Sequence, residues 1–174
     1  MLYVFVEGPD DSQFFEKIFA SFLGELTVDY QTIEYASMSQ IKLNNFIRTI
    51  GQLPDSDYLF FADDDGKGVE TKRNDLLTRC IGLSSDKLFI VQFEIESWYY
   101  AGLSLDDHKK LKLKSYQRDT NTLTKEQFNA KLPSPRDRKY IMAQILSCYS
   151  KELAETRNNT FSIFYAKEKE LAAV

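Results

Sequence analysis

The chain has 174 residues, 43% hydrophobic and 28% charged, a balance that excludes both a disordered chain and a membrane-embedded one and predicts a soluble, globular protein with a real core. No run approaches the ~20 apolar residues of a membrane span, and Met1 leads straight into a strand-like stretch without a basic leader, so the expected location is cytoplasmic. The net charge of -4 conceals a split, because residues 1–108 hold 8 basic against 19 acidic side chains, residues 109–139 hold 10 against 3, and residues 140–174 hold 4 of each.

Leu2 to Val6 is a β-prone run that empties into Glu7-Gly8-Pro9, which predicts a buried first strand and a turn. Asp10 is placed to cap the following helix, with Gln13 three residues on. Phe14, Phe15, Ile18, Phe19, Phe22 and Leu23 form one face of that helix, and Gly24 ends it. A second strand is expected within Val28 to Ala36. Leu43, Phe46, Ile47 and Ile50 recur at helical spacing before Gly51.

The third strand, Asp57 to Asp63, delivers three consecutive carboxylates, Asp63, Asp64 and Asp65, and then Gly66-Lys67-Gly68. Asp63 and Asp65 skip one residue, so they face the same side if the extended geometry persists. Crowded like charges are easiest to tolerate around a divalent cation, and Mg²⁺ favours a few carboxylates plus retained waters. A solvated acidic turn closed by Gly66 is the competing reading. Lys67 either neutralises a phosphate or balances the aspartates. Val69, Leu76, Leu77 and Cys80 mark a third helix stopped by Gly82, with Lys72 and Arg73 in its first turns, and Leu88 to Phe93 is a fourth buried strand that runs into Glu94 and Glu96.

Beyond Leu105 the pattern changes. His108 to Arg118 is lysine-rich and poorly periodic. Ser134-Pro135 reads as a cap with proline at the first helical position, opening a helix with Ile141, Met142, Ile145, Leu146, Tyr149 and Leu153 on one face. Arg157-Asn158-Asn159 breaks it, and Phe161, Phe164 and Leu171 mark a last amphipathic segment. Cys80 and Cys148 are far apart, with no C-x-x-C and a single histidine, so both are expected as reduced thiols rather than a disulfide or zinc ligands.

Four strands alternating with helices predict an α/β fold, an open and mainly parallel sheet covered on both faces, over residues 1–105. Residues 106–174 add a basic, helical C-terminal part within the same domain. In a parallel sheet the acids after three strands, Glu7, then Asp63 and Asp65, then Glu94 and Glu96, end along one edge, where they can converge on one or two metal ions. Trp98 and Tyr99, just after a buried strand, are expected in the core rather than stacked on a base. His108, beside Lys109 and Lys110, is expected at the surface, and Ser97 has no histidine to activate it.

Val6-Glu7-Gly8-x-x-Asp11 after the first strand, with Asp63-x-Asp65-Gly66 after the third, resembles the Toprim domain of topoisomerases, primases and overcoming-lysogenization-defect nucleases. The resemblance covers roughly the first 100 residues and implies that Glu7 is a general acid/base or metal ligand and that Asp63 and Asp65 bind Mg²⁺. Glu94-x-Glu96-Ser97-Trp98 and Asn159-Thr160-Phe161-x-x-Phe164 look more like a poorly characterised Toprim-related bacterial family.

The expected function is therefore Mg²⁺- or Mn²⁺-dependent phosphoryl transfer on nucleic acid by a nuclease, with Glu7, Asp63 and Asp65 as catalytic metal ligands and Glu94 or Glu96 completing a second metal site. Lys67, Lys109, Lys110, Lys112 and Lys114 are the expected phosphate contacts, although a solvated lysine-rich surface explains the same charge. The alternative is a non-catalytic, metal-binding Toprim-like subunit acting beside an ATPase or another nucleic-acid enzyme. A phosphoacceptor receiver domain fits less well, because its acid pair follows the first strand and a lysine ends the fifth.

Overall fold

The structure is a computed structural model that describes residues 1–19, 29–134 and 137–172, with no side chains beyond Lys169. Expectations that fall on Phe22, Leu23, Gly24, Val28 and Pro135, and on the side chain of Leu171, lie outside the described residues. The chain divides into two compact units, Met1–Ile90 and Val91–Val174, whereas composition alone put the change of character beyond Leu105.

The first unit is built on an open, four-stranded, all-parallel sheet, confirming the expected α/β class. Its strands are β1 (Leu2–Val6), β2 (Tyr30–Glu34), β3 (Asp57–Asp63) and β4 (Leu88–Val91, whose last residue belongs to the second unit), in the order β2-β1-β3-β4. Phe5 stands level with Ile33 on β2 and with Phe60 on β3. Strand alternation sends Phe5, Tyr58, Phe60, Ala62, Leu88 and Ile90 to one face, where they meet Leu43, Ile47 and Ile50 of α2 (Gln40–Ile50) and Leu76 of α3 (Val69–Arg79). The opposite face carries Phe61, whose ring centroid lies 4.2 Å from that of Phe15 on α1 (Pro9–Ile18). Strands buried on both faces read as the continuous apolar runs seen in the sequence, and each large side chain fully withdrawn from water contributes roughly 1.5–3 kcal/mol.

Helix starts are set by local chemistry. Pro9 has no N–H to lose and a φ suited to the first helical position, so α1 begins there with Gly8 as its cap, and Asp11 rather than Asp10 reaches back to accept the Gly8 N–H at 3.2 Å. Ser39 caps α2 by accepting from the Lys42 N–H.

In the second unit the helices are α4 (Glu96–Ala101), α5 (Leu105–Lys110), α6 (Lys125–Lys131), α7 (Arg138–Ser147), α8 (Lys151–Glu155) and α9 (Asn159–Ala172). Asp137, not Ser134, caps α7, its side chain accepting from the Lys139 N–H at 3.0 Å. Ile141, Met142, Ile145 and Leu146 form the buried face of α7 as expected, but that helix stops at Ser147 and Ser150 caps a separate α8, so Tyr149 and Leu153 lie outside it. Asn158 occupies the expected break: its Oδ1 accepts from the Phe161 N–H and the Thr160 hydroxyl, and its amide donates to Thr120 and Ser97. Trp98 and Tyr99 are fully buried, as expected, and Trp98 donates its indole N–H to Thr160 at 2.9 Å. Among the described residues no helix is long and apolar enough to cross a membrane.

Candidate functional site

The strand order places β1 and β3 side by side while β2 lies on the outer flank of β1, so the chain reverses its direction of winding between the carboxyl ends of β1 and β3, the position where open α/β sheets form ligand crevices. Glu7 directly follows β1 and Asp63 is the last residue of β3. The two are joined there, because the Asp63 backbone N–H donates to Oε1 of Glu7 at 3.2 Å.

Two further groups converge on the same oxygen. The Tyr35 hydroxyl lies 3.2 Å from Glu7 Oε1 and 2.9 Å from the Phe61 carbonyl, and Lys72 Nζ lies 3.5 Å from Glu7 Oε1. Lys72 also donates to Asp65 Oδ2 at 2.9 Å. Cα–Cβ bonds tilt toward a helix N-terminus, which is how a lysine in the first turns of α3 reaches back over the loop to the end of β3. Burial alone would lower its pKa, but the hydrogen bond to Asp65 and the charges of Glu7 and Asp65 outweigh burial and raise it. Burial pushes the Tyr35 phenol well above its usual value, and the charges of Glu7, Asp63 and Asp11 push it further.

The expected geometry of Asp63 and Asp65 needs correction. β3 ends at Asp63, and Asp65 adopts a positive φ of 52°, followed by Gly66 at 72°. The chain therefore turns instead of continuing extended, and alternation no longer relates the two side chains. Asp64 turns inward, 2% exposed, and its Oδ1 accepts the Gly66 N–H at 2.7 Å, closing the turn. Asp63 is buried, while Asp65 is exposed and reaches the cluster through Lys72. Lys67 is exposed on the loop.

Glu94 and Glu96 belong to the second unit. The fourth strand stops at Val91 instead of Phe93, and Phe93 takes a positive φ of 60°, so Glu94 lies in a turn and Glu96 in the first turn of α4. Glu94 accepts the Lys125 N–H at 2.8 Å. Glu96, 1% exposed, is paired through Oε1 with Arg138 and, at 3.5 Å, with Lys125. Burial raises its pKa although both cations pull it down.

Lys109, Lys110, Lys112 and Lys114 are all exposed, Lys109 lying 3.9 Å from Asp106 and Lys110 lying 3.4 Å from Asp107. His108 corrects the sequence reading. It is 5% exposed, standing edge-on to Tyr100 and Tyr116 at centroid distances of 6.0 and 5.2 Å. Its neighbours Lys109 and Lys110 face water, but the helical turn of α5 carries position 108 to the inner side.

Glu7 Oε2 and Asp65 Oδ1 carry no hydrogen bond or ion pair among the described residues. These are hard oxygen donors of the kind Mg²⁺ selects, and the Lys72 ammonium already bridges the other oxygens of the same two carboxylates. Among the described residues no group of three or more His, Cys, Asp or Glu side chains is gathered as a metal cage. Sequence reasoning placed Lys72 on α3, Tyr35 in the second strand and Asp11 in the motif after β1, but gave none of them its contacts; the reach of a first-turn lysine toward a preceding acidic loop was the one usable signal. No family model, curated protein or solved structure matches this chain.

Proposed function

We propose that the chain is a Toprim-like, Mg²⁺- or Mn²⁺-dependent phosphoryl-transfer enzyme acting on nucleic acid, a nuclease. The observation that carries this reading is the junction of Glu7 with Asp63 at the carboxyl ends of β1 and β3, with one oxygen of Glu7 left open. Glu7, Asp63 and Asp65 would hold the ion. A bound divalent cation supplies activation of water and stabilisation of the leaving oxygen. Glu7 is fixed by donors from β3, from the residue after β2 and from α3, Lys72 balances charge beside it, and Asp65 sits on a turn that can approach a cation. Glu94 and Glu96 are left out of the ligand set, because the Lys125 backbone and the Lys125 and Arg138 side chains already engage them. The excess of basic residues over 109–139 supplies sequence-independent attraction to phosphates.

A second reading, a non-catalytic Toprim-like subunit beside an ATPase or other nucleic-acid enzyme, is favoured by one observation: Lys72 pairs with both Glu7 and Asp65, so the cluster is already neutralised in part. The test is cleavage of single- and double-stranded DNA and RNA with Mg²⁺ or Mn²⁺, beside thermal melts in EDTA and in excess metal, for the parent and Asp63→Asn. An ion at 100 times its dissociation constant stabilises the fold by about 2.7 kcal/mol. Cleavage by the parent that collapses in Asp63→Asn supports the enzyme; a metal-dependent melt without cleavage supports the subunit; a melt indifferent to both metals removes the metal site.

A further inference from the structure

Every interaction of the Glu7 carboxylate among the described residues falls on one oxygen. Oε1 meets the Asp63 N–H at 3.2 Å, the Tyr35 hydroxyl at 3.2 Å and Lys72 Nζ at 3.5 Å, while Oε2 meets none. The three donors differ in stiffness. The Asp63 N–H is fixed in the sheet, and Lys72 is a long, rotatable chain that divides its contacts between Glu7 and Asp65.

Tyr35 is a side chain held at both ends. Its own N–H donates to the Val6 carbonyl at 2.9 Å, extending the β1–β2 ladder by one residue, and its carbonyl accepts from the Met38 N–H at 2.8 Å. The ring stacks on Phe60 at 4.6 Å and 30°. The hydroxyl then reaches the Phe61 carbonyl of β3 at 2.9 Å. A phenol has one proton to give, and here two acceptors share it: the fixed Phe61 carbonyl sets where the hydroxyl stands, and the charged Glu7 Oε1 accepts from the same O–H.

We infer that Tyr35 is a positioning residue that, with the Asp63 N–H and Lys72, keeps one oxygen of Glu7 turned inward and so presents the other, Oε2, as the working atom for a cation or substrate. The inference rests on the proposed reading of Glu7 as a site carboxylate. Outer contacts that orient a ligating carboxylate change metal affinity by about 10–100-fold when removed, and a misaligned acid loses reactivity without the fold being lost. Tyr35 thus ties all three strands around the carboxylate, since it follows β2, touches the residue after β1 and bonds the backbone of β3.

The decisive measurement is the rotamer order of Glu7, read from side-chain NMR couplings on labelled protein, in the parent and in Tyr35→Phe. The variant keeps the ring and its stacking on Phe60, and its melt establishes that it is folded. A single Glu7 rotamer in the parent that becomes averaged in Tyr35→Phe is the expected result; averaging already in the parent, or equal order in both, overturns the proposal, the first without needing any variant to fold. Mn²⁺ affinity, measured on the parent, Glu7→Gln and Tyr35→Phe, separates the two levels of the argument. Where Glu7→Gln weakens Mn²⁺ binding, Tyr35→Phe is expected to weaken it about tenfold or more, and unchanged affinity overturns the proposal. Absence of Mn²⁺ binding by the parent, with the rotamer result intact, retains the positioning role of Tyr35 and removes the metal reading instead.

Discussion

The backbone N–H of Asp63 donates to Oε1 of Glu7 at 3.2 Å, so the residue that follows β1 is tied to the residue that ends β3 by the main chain of the sheet itself. The cluster is preformed to that extent, and Lys72 supplies its charge balance. Lys72→Met should therefore cost about 1–2 kcal/mol, more than an exposed ion pair, because Lys72 is 7% exposed, and less than a fully buried one, because Asp65 faces water. Urea unfolding in EDTA measures this. If the site takes a divalent cation, Mg²⁺ should restore more stability to Lys72→Met than to the parent, since the ion then meets carboxylates that have lost their resident cation. An unchanged urea midpoint in EDTA would show that Lys72 holds nothing in place.

Glu96 and Arg138 test a different kind of pair. Glu96 is 1% exposed, and removing Arg138 leaves Lys125, 3.5 Å away and half in water, as its one ion-pair partner among the described residues. Losing one partner of a buried pair costs about 3–5 kcal/mol, and replacing both costs much less. Arg138→Met should be the worst of the set, with Glu96→Gln combined with Arg138→Met recovering part of the loss in a double-mutant cycle. The pH dependence has a definite sign. The Glu96 pKa is raised in the fold, chiefly by burial, so its contribution is fully present below the unfolded carboxylate range and is lost as pH rises through the folded value. Without Arg138 that value rises further, and the deficit of Arg138→Met should shrink on acidification. A deficit that stays constant with pH would mean that Arg138 acts through its bond to Asn129 and its packing instead.

The sheet was legible because its strands are buried on both faces: runs such as Leu59 to Ala62 carry no polar residue to blur them. Glu7 and Asp63 were legible for the same reason, since a strand end is located by where its apolar run stops. Asp65 was not. Its positive φ comes from a turn that Asp64 closes onto Gly66, and an acidic triplet does not announce which of its members folds inward. Tyr35 and Lys72 were missed as contacts because each acts across strands or back from a helix, distances that sequence spacing does not encode. His108 was misread by exposure, since charged residues flank it in the sequence while the short helix α5 turns it inward, and Glu96 was misplaced because the strand before it stops at Val91 and the chain enters α4.

His108 should make the second unit acid-sensitive. Burial holds its pKa below 6.5, with Lys131 lowering it further and the backbone of Lys114 partly opposing; Tyr100 and Tyr116 are its ring neighbours. The unfolded chain takes up the proton first, so the stability contributed by neutral His108 is present above pH 6.5 and is lost as pH falls toward and through the folded value. The slope from this group cannot exceed about 1.4 kcal/mol per pH unit. His108→Gln should flatten the dependence of unfolding free energy between pH 7.5 and 5.5 relative to the parent. Parallel profiles for the two proteins would return the acid response to the carboxylates.

The basic segment offers a test in which the structure sorts residues that the sequence treats alike. Lys109 and Lys110 sit one helical turn from Asp106 and Asp107, at 3.9 and 3.4 Å, whereas Lys112 and Lys114 have no acidic partner among the described residues. A lysine that neutralises a phosphate releases counterions, and each such contact steepens the dependence of log affinity on log salt by about 0.9 for duplex DNA. If the segment contacts nucleic acid, Lys112→Gln combined with Lys114→Gln should flatten that slope by up to about 1.8. The same change at Lys109 and Lys110 should do less, because their aspartates already offset part of their charge. Both effects should be independent of base sequence. Binding isotherms on a DNA duplex at several salt concentrations measure the two slopes. Equal slopes for the parent and the Lys112, Lys114 variant would assign these lysines to solvated surface and leave phosphate attraction to other residues.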